Sequence, residues 1–289
     1  MGTDGLLIID KPQGMTSAGV VRIVKRRLQC KTGHLGTLDP FATGVLPVCV
    51  GEGTKIAQFL SVATKTYTGT IRLGRQTDTG DLTGTVINTA PVPPIAHEQL
   101  AGLEQQLRGD VAQIPPMYSA IKHHGTPLYK LARRGIEVER QPRQIHIDTL
   151  NLTAQGESAV AFSLSCSKGT YVRALAEQIG VSLGTVAHLE ALRRTRFGAF
   201  SIEQALTLDA IEQTGVPVIG LREALSHLRE IRVDEAAERR ARQGYKPVLA
   251  TITGGEQDEA AKLVGPTGEL AAVIVSDRYC RWRFARVFT

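Results

Sequence analysis

The sequence predicts an α+β fold: a mixed, largely antiparallel sheet flanked by helices, followed by a small β-rich unit. Three observations carry this. Residues 144–154 and 157–167 alternate apolar and polar side chains around a Gln155-Gly156 turn, the mark of an antiparallel strand pair. Near the other end, Val20, Val21, Val24 and Leu28 fall on one helical face while Arg22, Lys25 and Arg26 fall on the other. From about Arg229 the pattern changes to a charged helix and short strands, with Gly-Pro-Thr-Gly at a turn near Gly265.

In chain order, residues 6–9 read as a short buried strand. Thr16 or Ser17 then caps a helix that runs to about Leu28. A glycine-punctuated loop, GHLGTLDPFATG (33–44), leads into an apolar strand over 45–50. Strands are expected over 64–73 and 84–89, and after Pro91, Pro93 and Pro94 a helix over 95–107. Residues 115–143 are rich in Lys, Arg, His, Tyr and Pro without apolar periodicity, and read as an exposed excursion. The hairpin follows, then a helix over 170–179, a basic strand over 186–197 and two short helices after Ser201. Residues 279–287 alternate Cys280, Trp282 and Phe284 against Arg281 and Arg283. The larger unit is placed at 1–228 and the smaller at 229–289, near the lower size limit for independent folding.

The chain has 289 residues, with 34 Lys and Arg against 28 Asp and Glu, a net +6 that permits a polyanionic partner without requiring one. Six basic residues and no acidic one lie between Lys11 and Leu38, and Arg193, Arg194 and Arg196 form a second cluster; both are candidate phosphate-facing strips. The four cysteines form no C-x-x-C pair, as expected of a reduced, cytoplasmic protein. With an apolar run only from Leu6 to Ile9 and no basic segment before it, neither a signal peptide nor a membrane span is expected.

Several chemistries lack their motifs. There is no phosphate-binding G-x-x-x-x-G-K-[ST], and Gly51-Glu52-Gly53 lacks the third glycine of a dinucleotide fingerprint. His188-Leu189-Glu190 has no P-C-x-x-C to complete a deaminase zinc site, and Cys30 with His34 makes only half a metal site. No metal and no cofactor are expected.

Asp39 precedes Pro40 in the glycine-rich loop, which by itself is turn chemistry. Its surroundings say more. GHLGTLDPFATGVLPVCVG (33–51) closely resembles the nucleophile motif of the TruB family of tRNA pseudouridine synthases, G-H-T-G-x-L-D-P-x-A-x-G-x-L. LLIIDKPQGMTS (6–17), KTYTGTIRLGRQTDTGDLTG (65–84), IPPMYSAIK (114–122), SKGTYVRALAEQIG (167–180) and AHLEALRRTRFGAF (187–200) resemble further family blocks in the same order. One departure is Leu35, where the motif carries Thr or another small residue.

The resemblance implies a pseudouridine synthase fold with a C-terminal PUA-like RNA-binding domain, and isomerisation of uridine 55 in the T loop of tRNA. It implies Asp39 as nucleophile, Arg173 as its ion-pair partner, and Tyr67 packed on the flipped base near the carbon that loses its proton. His34 would fill the gap left by the extruded base. Tyr171, Leu192, Lys11 and Asp81 fall at substrate-site positions. Lys122, Lys130, Arg133 and Arg134 on the excursion suit phosphate contacts. The partner is then the tRNA T arm, with no guide RNA and no membrane, and the protein a monomer. Two alternatives remain open on sequence grounds: a tRNA-binding or tRNA-folding factor, and a related synthase acting on another RNA.

Overall fold

The computed structural model describes residues 4–212 and 216–288. In chain order the main elements are β1 (Gly5–Lys11), α1 (Ser17–Leu28), β2 (Thr43–Val50), β3 (Lys65–Leu73), α2 (His97–Leu107) and β4 (Gly109–Gln113). They continue with β5 (Arg143–Gln155), β6 (Ala159–Cys166), α3 (Val172–Ser182) and β7 (Ala187–Phe197). The terminal part contains β8 (Arg229–Arg232), α4 (Glu235–Arg242), β9 (Ala260–Val264), β10 (Leu270–Ser276) and β11 (Trp282–Val287).

The large sheet runs β1-β2-β7-β3-β6-β5-β4, with short strands Thr32–His34 on β2 and Phe200–Ser201 on β7. Every pairing is antiparallel except β2 with β7, where Arg193 and Arg194 lie beside Thr43 and Gly44. That parallel join carries chemistry, because it brings the strand after the Asp39 loop against the basic strand. The β5–β6 hairpin forms as its alternation predicts.

Helix α1 begins where a hydroxyl can hold it: Thr16 Oγ1 accepts from Gly19 N at 3.0 Å. Val20 and Val24 are fully buried, each contributing about 1.5–3 kcal/mol of transfer free energy, while Arg22, Lys25 and Arg26 are exposed. Strand β4 is an element the sequence hides. Gly-Asp-Val-Ala-Gln lacks a continuous apolar face because the strand sits at the sheet edge beside β5. Helix α3 starts at Val172, two residues later than expected, because Tyr171 stays extended and its N–H donates to Gln113 Oε1 at 2.8 Å.

The terminal part opens with a strand, β8, before its charged helix. β8 runs parallel to β9, and β10 and β11 complete a four-stranded sheet. It has its own core of Leu263, Ile274 and Trp282, but Val264, Leu270, Val273 and Phe288 join a second cluster with Leu6, Ile8, Val45 and Leu225 from the larger unit. A cut before β8 would therefore bare an apolar face. The buried ammonium of Lys262 reinforces this seam by donating to the carbonyls of Arg222 and Leu225, both at 3.2 Å.

The two basic strips divide. Lys11 is fully buried and Arg194 is 1% exposed, so neither faces a phosphate. Arg193 pairs with Asp10 at 2.7 Å, leaving Arg196 exposed.

Candidate active site

The loop from Gly33 to Gly44 is shaped by side chains from other parts of the chain. Ser17 Oγ donates to Leu38 O at 3.0 Å and accepts from Leu38 N at 2.9 Å, clamping the residue before Asp39. On the other side, Pro40 O accepts from Gly14 N at 2.8 Å and from Lys11 Nζ at 3.2 Å. Lys11, expected at the substrate, also donates to Pro12 O and Met15 O at 2.9 and 2.7 Å. Burial drops its pKa to about 8, with the nearby Asp39 charge opposing the fall. Its ammonium lies under the nucleophile loop and braces it.

Arg194 shapes the same loop from beneath. Its Nε donates to Val45 O at 2.7 Å and its Nη2 to Gly36 O at 2.8 Å, with Phe197 against its guanidinium at 5.3 Å. Two glycines follow from this. A Cβ on Gly36, which lies at φ +59°, would come within 2.8 Å of the Phe197 ring, and one on Gly44, at φ +102°, within 2.2 Å of Arg194 O. Tyr67 is the cross-strand neighbour of Arg194, close enough for the guanidinium to act on its buried hydroxyl. Burial pushes the phenol up while the guanidinium pulls it down.

Leu35 points into the second core cluster at 6% exposure, and its N–H donates to Pro47 O at 2.9 Å. The departure from the motif is thus absorbed by apolar packing on the side of the loop away from the cleft. His34, in the short strand beside β2, is half-buried, and its buried Nδ1 has no hydrogen-bond partner. Burial first, and the Arg194 charge second, hold its pKa below the usual value, so the imidazole is neutral near pH 7.

At the centre, Arg173 Nε lies 2.9 Å from Asp39 Oδ2 and 3.8 Å from Asp81 Oδ2. Arg173 is 6% exposed, and its other two nitrogens donate to Thr79 O and Tyr118 O, both at 2.8 Å. The guanidinium is thereby fixed in plane, presenting one edge to the carboxylate. Asp39, with 36% of its side chain exposed, remains reachable from solvent. Burial raises its pKa, Arg173 lowers it, and Asp81 opposes Arg173. Asp81 is itself held by Thr79 Oγ1, Thr83 N and Thr83 Oγ1 on Oδ1 at 2.9, 2.9 and 2.6 Å. Its other oxygen, Oδ2, faces the Arg173 guanidinium at 3.8 Å.

Tyr67 and Leu192 line the same side of the sheet. Tyr67 lies opposite Arg194 and Leu192 opposite Gly69, two positions apart in the β3–β7 ladder and so on one face. Gly69 is required where the Phe162 ring and Ala191 O would crowd a Cβ at 2.7 and 2.2 Å. Tyr171 ends the extended segment before α3, anchored by Gln113, close enough for the charges of Arg173 and Asp39 to act on its hydroxyl. Asp39, Arg173, Asp81, Tyr67, Tyr171 and Leu192 thus converge, with His34 at the same loop.

The excursion cations do not join them. Lys122, Lys130, Arg133 and Arg134 are exposed on a small hairpin and a short helix, Leu128–Ala132, with Arg133 stacked 5.6 Å from the Tyr129 ring. Their tie to the centre runs through Tyr118, whose carbonyl holds Arg173.

Sequence reading passed over Ser17 and Gln113, and misread Arg194. For Arg194 a signal existed, since it alternates with Leu192 and so falls on the inward face. Ser17 offered none beyond its place at a helix start.

The model of the TruB family pseudouridylate synthase N-terminal domain matches residues 22–172, and that of the tRNA pseudouridylate synthase B C-terminal domain matches 173–229. The chain is 43% identical to the tRNA pseudouridine synthase B of Syntrophotalea carbinolica over 277 residues, covering 93% of this chain and 90% of the relative. It is 42% identical to that of Geobacter sulfurreducens over 259 residues, covering 87% and 85%.

Among solved structures, an archaeal box H/ACA sRNP Nop10-Cbf5 complex matches with TM-score 0.71 at 22% identity, covering all of this chain and 87% of the other. An H/ACA RNP bound to a substrate RNA containing 2′-deoxyuridine matches with TM-score 0.73 at 21% identity, covering 100% and 86%. These two likenesses show a shared fold. On the family models and the identities together, the chain belongs to the TruB family of pseudouridylate synthases.

Proposed function

We propose that this enzyme isomerises uridine to pseudouridine at position 55, in the T loop of tRNA, with Asp39 as the nucleophile. The observation that carries the reading is the part-exposed carboxylate of Asp39, 2.9 Å from a buried guanidinium fixed by two further acceptors. Isomerisation breaks the bond from ribose C1′ to N1, turns the base and joins C1′ to C5, after which C5 loses its proton. Neither an oxidant nor an external energy source is consumed.

Asp39 attacks either the anomeric carbon or the uracil ring, and both routes need it ionised. Arg173 supplies that bias against the cost of burial. The target base must leave its stack to reach the cleft. Tyr67 and Leu192 offer the flipped ring a flat apolar wall, Tyr171 lies beside the ion pair, and neutral His34 can stack in the gap. Asp81 and Lys11 act as positioning residues, one behind Arg173 and the other beneath Asp39.

The partner is the tRNA T arm, held without a guide RNA by a monomeric, cytoplasmic protein. Lys122, Lys130, Arg133 and Arg134 contact its phosphates. The PUA-like part from Arg229 onward adds RNA-binding surface.

Asp39→Asn tests the reading. Single-turnover formation of pseudouridine in T-arm RNA should vanish while RNA binding persists, since the amide keeps the shape and removes the nucleophile. Turnover above a trace would sink the role of Asp39.

A further inference from the structure

Alongside the site runs an open groove of about 850 Å³ with Gly14, Met15 and Thr16 at one end and Arg22, Lys25 and Arg26 along its side. The three cations lie at the i, i+3 and i+4 positions of α1 and so share one face. All three are exposed, and among the described residues none has an ion-pair partner. Four arginines elsewhere are tied down instead. Arg72, Arg193, Arg222 and Arg242 each pair with a carboxylate at 2.7–2.8 Å. The segment 11–38 contains no acidic residue to compete.

The end of the groove is joined to the catalytic loop. Gly14 N donates to Pro40 O at 2.8 Å, and Ser17 in the first turn of α1 clamps Leu38. Above Gly14, at φ +80°, even a Cβ would meet nothing within 4 Å, so the groove is open at this end. A polyanion whose nucleotide occupies the cleft would find these cations on its next phosphates.

We propose that the α1 groove seats the RNA phosphodiester backbone beside the flipped nucleotide, through Arg22, Lys25 and Arg26. This rests on the reading of Asp39 as the site of a uridine in RNA. The contact is to phosphate, so it strengthens binding without reading sequence. It is also separate from the excursion.

The test is Arg22→Gln, Lys25→Gln and Arg26→Gln together, since glutamine preserves helix propensity. Affinity for a T-arm stem-loop RNA is measured from low to high salt, with circular dichroism confirming the native fold. Removing one cation from its phosphate flattens log affinity against log salt by about 0.7–0.9, so the slope of the triple variant should be shallower by about 2 units. Arg22→Gln and Arg26→Gln alone should each show about one-third of that change. A slope equal to that of the unaltered chain would overturn the proposal. Because the slope is read on binding, it judges the groove separately from catalysis. Failure of the unaltered chain to form pseudouridine in this RNA would strike the substrate reading instead.

Discussion

In the nucleophile loop, the backbone on both sides of Asp39 is held by side chains from elsewhere: Ser17 on Leu38, Lys11 on Pro40 and Arg194 on Gly36. In the excursion over 115–143 the backbone is answered mostly by its own neighbours. Leu128 N donates to Ile121 O, Tyr129 N to Ser119 O and Ile136 N to Leu131 O. The first region places one carboxylate against one guanidinium, where a displacement of about an ångström can cost about a hundredfold in rate. The second displays cations, whose attraction for phosphate falls off slowly with distance and tolerates several geometries. Precision comes from buried cross-chain bonds, while adaptability needs charge on a lightly tethered segment.

That contrast predicts its largest effect at Arg173. Lysine there cannot meet Asp39, Thr79 O and Tyr118 O with one ammonium, so single-turnover rate should fall about a hundredfold or more, the scale of losing a preorganised donor. A near-normal rate would break the claim that planar geometry matters here. The pH profile adds a second reading. The attacking form is the carboxylate, and burial has raised its pKa. Rate should therefore fall as pH drops through a value above that of an ordinary aspartate. Arg173→Gln removes the main downward pull, so the acid limb should move to higher pH; a limb that stays in place would mean Arg173 does not set the charge on Asp39.

A smaller loss is expected at Ser17, which touches no reacting atom. Ser17→Ala leaves the Leu38 N–H and C=O without their partner in a buried setting, at a cost of about 1–3 kcal/mol in stability. The loosened loop should lower turnover roughly tenfold, with RNA affinity nearly unchanged. Thermal unfolding and single-turnover rates together check this. A stability loss with no rate loss would show that the clamp holds the fold and not the carboxylate.

These residues also mark how far the sequence could be read. Periodicity found α1, the β5–β6 hairpin and β7, because each buries one regular face. It missed β4, an edge strand without such a face, and it placed α3 early because Tyr171 is held extended by Gln113, a contact between distant segments. The family resemblance supplied Asp39 and Arg173. What it could not supply was the direction in which a charged side chain points. Lys11 and Arg194 look like phosphate ligands by residue type, yet both satisfy loop carbonyls from inside the core. Burial of a cation depends on where acceptors gather in three dimensions, and composition carries no trace of that.

The smallest effect on chemistry is expected in the excursion. Lys130, Arg133 and Arg134 are exposed, and none contacts Asp39 or Arg173. Their joint replacement by alanine should weaken T-arm binding and flatten its salt dependence by up to about one unit for each phosphate no longer neutralised. The Michaelis constant should rise more than the rate at saturation falls, as when binding shared by ground and transition states is removed. Arg133 offers an internal control, because it stacks on Tyr129 as well as carrying charge. Arg133→Lys keeps the charge and weakens the stack, so it should retain the full salt slope. If the triple variant lost turnover at saturating RNA instead, the excursion would be shaping the site through Tyr118 and Arg173, and the division between a rigid loop and an adaptable display would fail at the one carbonyl that joins them.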